Sequence, residues 1–276
     1  MPTVELNATP IVYAEVGPSD GTPVLLSHSL FFDHTMFDEL AAILAERGYR
    51  VVSYDQRGQG GNPAATRDEV SMDALTDDAA SLIGALGLGR VHVAGNSLGG
   101  FVALRLAARH PDLVISAAAI GSSAEEEHSL AAFAPLVDHL TDHGAADIVG
   151  SLMHIMFGDT SLASPTAATK KWEAFMADLG PSIGPCAWQV IHRDSIVAEL
   201  AGCAVPVLAI AGAEDHAYPP PTSSDNIAAA TGGRAVTVEA AGHSVSLEQP
   251  TIVADHLLTH FAAAERGSPW AGRPGR

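Results

Sequence analysis

Residues 91–100 read VHVAGNSLGG, an apolar run that ends among glycines and passes directly into a second apolar stretch from Leu98 to Arg109. The first half has the composition of a strand buried on both faces. The second half has little polar face and stops before Pro111, as a largely buried helix would. Gly95-Asn96-Ser97-Leu98-Gly99 is therefore G-x-S-x-G at a strand-to-helix junction. A turn that sharp forces its serine into a strained backbone conformation and exposes the hydroxyl above the sheet. Flanking glycines remove the Cβ clashes that would prevent it. Ser97 is the candidate nucleophile.

Outward from that turn, short apolar runs alternate with helical patterns, the signature of βα units building a mostly parallel sheet. Eight strands are predicted, at residues 3–6, 11–16, 24–27, 51–54, 91–94, 113–120, 207–211 and 235–238. The first two, separated only by residues 7–10, fit an antiparallel hairpin at the sheet edge. Met72, Leu75, Ala79, Leu82, Ile83 and Leu86 fall at helical spacing behind a Ser71 N-cap, and Pro250 opens a helix whose Val253, Leu257, Leu258 and Phe261 share a face. Residues 121–202 carry helical patterns and no convincing strand. The expectation is an α/β core of residues 1–120 and 203–266, a helical cap or lid insertion at 121–202 above the serine turn, and a flexible Gly/Pro-rich tail at 267–276.

Composition narrows the partners. The 276 residues, 47% hydrophobic and 17% charged, suit one large globular domain. A net charge of −18, from 32 acidic against 14 basic side chains, would repel a phosphate backbone, so nucleic acid is disfavoured. Cys186 and Cys203 provide neither a disulfide framework nor a CxxC site. No basic start leads into an apolar stretch, and no run reaches the ~20 apolar residues that cross a bilayer. A cytoplasmic protein acting on a small molecule, with no membrane partner, is expected; oligomeric state is not readable.

A serine hydroxyl at neutral pH needs an adjacent base, and the base needs a group that fixes its tautomer. The run VLAIAGAEDHAYP, residues 207–219, delivers Asp215 into the loop after a buried strand, and VTVEAAGHSVSLEQP, residues 236–250, places His243 between the last strand and the last helix. Glu214 is the rival acid, but consecutive loop residues point differently, and Asp215 is preferred. Acyl chemistry also needs donors aimed at the developing oxyanion. The backbone N–H of Leu98 is one, and that of Leu30, in the loop LLSHSLFF after the third strand, is the second. His28 in that loop reads as a structural hydrogen-bonding residue. His139 and His143 are spaced i, i+4, yet no third ligand has a recognisable spacing, and no metal or cofactor is expected.

With the hairpin, LLSHSL, SYDQRGQG at 53–60, AGNSLGG, AGAED and AGHSVSLEQP all in place, the chain resembles α/β-hydrolase fold enzymes from about Val4 to Phe261. The pairing of HSL, GNSLGG and EQP is most similar to the 3-oxoadipate enol-lactonase and carboxylesterase-like branch. The resemblance implies a serine hydrolase of a small carboxylic ester or lactone working through an acyl-enzyme. Haloalkane dehalogenases and epoxide hydrolases carry Asp where this chain has Ser97. Carbon–carbon bond hydrolases and perhydrolases with the same triad, and ligand-binding receptors on the same scaffold, are the alternatives. Within the insertion, Phe157, Trp172 and Trp188, with Phe31 from the oxyanion loop, are candidate pocket residues; Met153, Met156, Phe175 and Met176 are further ones. Lys170, Lys171 and Arg193 are candidate partners for an acidic substrate.

Overall fold

The computed structural model describes residues 1–267; the tail expected to be flexible lies, from residue 268 onward, outside the described residues. One eight-stranded sheet organises the chain, in the order β1-β2-β4-β3-β5-β6-β7-β8. Its strands are β1 (Thr3–Leu6), β2 (Thr9–Val16), β3 (Pro23–Ser27), β4 (Arg50–Tyr54), β5 (Val91–Asn96), β6 (Val114–Ile120), β7 (Val207–Gly212) and β8 (Arg234–Val238). β1 and β2 form the edge hairpin, β2 lies antiparallel to β4, and β3 to β8 are parallel. The hairpin turn is tighter than residues 7–10 implied. Leu6 pairs with Thr9 across Asn7 and Ala8, both in the left-handed region, which matches the twist of a two-residue hairpin, so Pro10 belongs to β2.

Helices α1 (Asp38–Glu46), α2 (Met72–Ala85) and α3 (Leu98–Arg109) follow β3, β4 and β5. Ser71 caps α2 as expected, its Oγ accepting from Ala74 N at 2.9 Å. The crossover from β3 to β4 runs toward the hairpin edge, and the one from β4 to β5 runs back past β3. Right-handed crossovers in opposite directions lie on opposite faces, so α1 covers one side of the sheet and α2 the other. Each has company there, α1 packing on the last helix and α2 on α3. Val24, Leu25, Leu26, Val52, Val93 and Ile210 are fully buried between the layers, each contributing roughly 1.5–3 kcal/mol by leaving water.

Where the chain turns back, the loops after β3 and β5 part company at the carboxyl ends of adjacent strands. That switch point is where open α/β sheets form a crevice, and it brings the Leu30 loop beside Ser97.

Between β6 and β7 lie α4 (Leu130–His143), α5 (Val149–Met156), α6 (Asp159–Ala163), α7 (Ala167–Ala177), α8 (Gly184–Ile191) and α9 (Val197–Leu200), and no strand. α4 packs on α8 and α5 on α7, but α9 packs on α3. The last part of the 121–202 segment thus belongs to the layer beside the sheet. After β7 come α10 (Asp225–Thr231), which contacts α9, then α11 (Val245–Glu248) and α12 (Pro250–Glu265), the partner of α1. Pro250 occupies the first turn of α12, as its fixed φ suits. Among the described residues no helix is long and apolar enough to cross a membrane.

Candidate active site

β5 ends at Asn96, and Ser97 follows with φ 51° and ψ −113°, the strained turn expected from GNSLG. Its N–H donates to Ile120 O at 2.8 Å, and its carbonyl accepts from Ser122 Oγ at 2.8 Å. Two glycines are obligatory. A Cβ on Gly95 would strike the Gly99 carbonyl, and one on Gly99 would strike the carbonyl of Ser27 in β3.

His243 sits in the loop between β8 and α11, almost fully buried, with Nδ1 3.0 Å and 3.1 Å from the two carboxylate oxygens of Asp215. A carboxylate only accepts, so Nδ1 carries the proton and Nε2 is left with its lone pair. Burial pushes the Asp215 carboxyl upward, but the adjacent His243 ring and the N–H groups of Tyr218 and Ala217, each 2.8 Å from Oδ1, outweigh it and hold the group below the ordinary carboxylate range. Asp215 is thus kept as an anion facing His243. Its neighbour Glu214 turns away and accepts from the N–H of Thr160 at 2.8 Å and its hydroxyl at 2.6 Å, bonds that lower its own carboxyl.

Ser97 and His243 line one cavity, and among the described residues no hydrogen bond joins their side chains directly. The cavity encloses about 50 Å³, the space of a few water molecules. Apart from Ser97, His243 and Tyr218 its walls are apolar, with Leu30 and Phe31 from the β3 loop, Phe133, Leu136 and Val137 from α4, Ile155 and Met156 from α5, and Val190 and Ile191 from α8 among them. Neither Leu98 N–H nor Leu30 N–H donates to another group among the described residues. Leu98 opens α3, where the helix dipole adds positive potential. Phe31 has φ 72°, the twist with which the loop leaves Leu30 beside Ser97.

His28 is structural, as its position implied. Its Nε2 accepts from Gln56 N at 2.9 Å and its Nδ1 donates to Ser29 O at 2.8 Å, which binds the β3 loop to the β4 loop; complete burial lowers its pKa and keeps the ring neutral.

The pocket expectation needs correction. Phe31 lines the cavity; Phe157, Trp172 and Trp188 do not. Phe157 and Trp172 are buried against Phe32, with ring centroids 6.2 Å and 4.7 Å away, so they fasten the helices to the β3 loop. Trp188 lies on the outer side of α8, stacked on His192 at 4.0 Å and beneath Arg67 at 4.6 Å. Of the other insertion candidates, Met156 alone reaches the wall. The cationic candidates are also elsewhere. Arg193 is buried in an ion pair with Glu127 at 3.0 Å and donates to Tyr218 Oη at 2.9 Å, while Lys171 lies over Trp172 and bonds Thr35. Among the described residues no Lys or Arg lines the cavity.

Three further residues complete the frame. Asn96 Nδ2 donates to His243 O at 2.9 Å and its Oδ1 accepts from Ser246 Oγ at 2.9 Å. Glu248 accepts from Gly242 N at 2.8 Å and Gly158 N at 2.9 Å, joining the His243 loop to the α5–α6 junction; burial raises its pKa. Ser244 N donates to Met156 O at 2.9 Å. Gly158 and Gly242 touch so closely that a Cβ on either would meet the other's backbone. These contacts are long-range, and residue type alone could not announce them.

Residues 22–250 match the family model described as alpha/beta hydrolase fold. A Caulobacter sp. (strain K31) protein, RutD, provisionally named a carbamate hydrolase, is 31% identical over 214 residues, covering 75% of this chain and 80% of that protein. The 3-oxoadipate enol-lactonase 1 of Acinetobacter baylyi is 28% identical over 203 residues, covering 72% and 73%. Among solved structures, the enol-lactonase from Burkholderia xenovorans LB400 superposes with a TM-score of 0.86 at 23% identity, covering 95% of this chain and all of that one (100%).

Proposed function

The chain belongs to the alpha/beta hydrolase fold family and is a hydrolase; from that premise we propose that it is a serine hydrolase of small, uncharged carboxylic esters or lactones, of the enol-lactonase and esterase branch. The observation that carries the proposal is the convergence of Ser97 and His243 on one cavity with Asp215 fixed behind the histidine. Ser97 Oγ attacks the carbonyl carbon while His243 Nε2 takes its proton. The negative charge passes to the carbonyl oxygen, which accepts hydrogen bonds from Leu98 N–H and Leu30 N–H, an arrangement whose single donors are worth about 10²–10³ in rate. His243 then protonates the leaving oxygen, the acyl group stays on Ser97, and a water deprotonated by the same ring releases it. Asp215 orients His243 and offsets the charge of the imidazolium.

Helices α4, α5 and α8 supply most of the cavity wall, which supports a role for this segment as a cap that sets acyl size. The wall's chemistry supports the neutral substrate class. A free carboxylate on the acyl side would lose hydration against Leu136, Val137, Ile155 and Val190 with no cation to replace it. The names of the relatives, a lactonase and a carbamate hydrolase, share a carbonyl bearing a heteroatom, the group this site would attack.

The test is pre-steady-state turnover of p-nitrophenyl acetate, followed by a panel of neutral lactones, a neutral carbamate and lactones bearing a carboxylate. A burst of one equivalent of p-nitrophenol, absent in Ser97→Ala, and preference for the neutral lactones are expected. Binding without turnover would indicate a receptor instead, and a carboxylate-bearing lactone turned over faster than its neutral analogue would overturn the substrate class.

A further inference from the structure

Two groups of three potential metal ligands occur among the described residues, and they differ in what their donor atoms are doing. In the first, Asp33, His34 and Asp55, the donors are engaged. Asp33 Oδ1 accepts from Thr35 N and Oγ1, and Asp55 accepts from His34 Nδ1, His34 N and Gly61 N. The second group, His154 at the last turn of α5, Asp159 at the first turn of α6 and His216 directly after Asp215, is solvent-accessible, and within it only His216 Nε2 and Asp159 Oδ1 pair, at 3.4 Å.

His216 Nδ1 lies 2.7 Å from the carbonyl of His154, so it carries the proton and donates, and Nε2 presents its lone pair outward. A ring held through one nitrogen by a backbone carbonyl is the usual arrangement of a metal-ligating histidine, because the bond fixes both tautomer and orientation. Nε2 is 3.4 Å from Asp159 Oδ1, and the His154 ring stacks on His216 with centroids 4.1 Å apart. Ligand atoms of all three lie within 4.8 Å of one another. Tetrahedral ligation at about 2.0–2.1 Å places donor atoms roughly 3.3 Å apart, so one pair already has the spacing and small rotations of exposed side chains close the rest. Glu214, whose field reaches His216, and the net charge of −18 add attraction for a cation.

We propose that His154, Asp159 and His216 form a surface site for a divalent transition metal of the zinc class. Two imidazoles and one carboxylate select that class over magnesium or calcium, which demand oxygen ligands. The ion would clip the α5–α6 junction, already docked on the His243 loop, to the loop that carries Asp215. It has no part in bond cleavage, since its ligands do not line the cavity.

The test is calorimetric titration of Zn²⁺ and, separately, Mg²⁺ into chelator-treated protein, with thermal melts alongside. Wild type should bind one Zn²⁺ and melt higher with it, while Mg²⁺ gives neither effect. His154→Ala, His216→Gln and Asp159→Asn should each weaken Zn²⁺ at least about tenfold and lose the melting shift, with the metal-free melting point of Asp159→Asn near wild type because that side chain is exposed. His139→Ala, at a separate, half-buried histidine bonded to Asp147, is the control and should bind as wild type does. Undiminished binding in His154→Ala and His216→Gln, or equal loss in His139→Ala, would overturn the site.

Discussion

The side-chain amide of Asn96 donates to the main-chain carbonyl of His243 at 2.9 Å, so the residue before the nucleophile holds the residue that would act as its base. Its carbonyl end accepts from Ser246 Oγ, and the whole group is buried. The spacing between Ser97 and His243 is therefore set by a bridge between β5 and the loop before α11.

Asn96→Ala would leave the His243 carbonyl and the Ser246 hydroxyl unpaired, a cost of about 1–3 kcal/mol that lowers Tm by several degrees. Misplacing the base should also lower kcat on p-nitrophenyl acetate roughly tenfold or more while KM moves little. Asn96→Asp keeps the acceptor but not the donor and should remain impaired. A Tm loss with unchanged kcat would mean that the bridge is structural only.

Asp215 and Glu214 are neighbours with different duties, one facing His243 and the other Thr160. Asp215→Asn should lower kcat by about 10³–10⁴, because it favours the wrong imidazole tautomer. Glu214→Gln should leave kcat within a few-fold. The reverse ranking would move the acid role to Glu214.

Sequence carried the strands because most are apolar runs bounded by turn residues, and it carried the placement of Ser97, Asp215 and His243 because each lies in the turn or loop that follows a strand. Pocket walls were less legible. Phe133, Leu136 and Val137 share an α4 face by their spacing, but so do Trp172, Phe175 and Met176 on α7, and periodicity cannot say which face meets a cavity and which meets the core. Asn96, Glu248 and the Gly158–Gly242 contact act across long sequence separations, so only the folded chain reveals them.

His34 and Asp55 tie the β3 loop to the β4 loop at 2.6 Å. The bond to Asp55 raises the His34 pKa, and although burial opposes it, the His34 bond together with the Gly61 and His34 N–H groups lowers that of Asp55. For a raised histidine, the stabilisation is complete below its unfolded value of about 6.5 and is lost as pH rises through the folded value. For the lowered aspartate, it is present above about 3.9 and lost as pH falls through the folded value. The Tm gap between wild type and His34→Asn should therefore narrow as pH rises from 6 to 9. A gap that is constant or widens over that range would show that His34 is not charged in the fold.

Substrate size is the last prediction, and it separates cavity wall from scaffold. Phe133 faces the cavity from α4 and is only partly buried, so Phe133→Ala should open space beside the acyl group. The ratio of kcat/KM for p-nitrophenyl hexanoate over acetate should rise about tenfold, the scale on which a hydrophobic pocket reads added methylenes. Trp172, wedged against Phe32 and Phe175, makes its contacts away from that space. Trp172→Ala should cost about 3–5 kcal/mol and lower Tm by about 2–4 °C for each of them, with the hexanoate-to-acetate ratio near wild type. If Trp172→Ala shifts the ratio as far as Phe133→Ala while Tm holds, the wall lies on α7 rather than α4, and the cavity described by Ser97, His243 and Phe133 is not where the acyl chain rests.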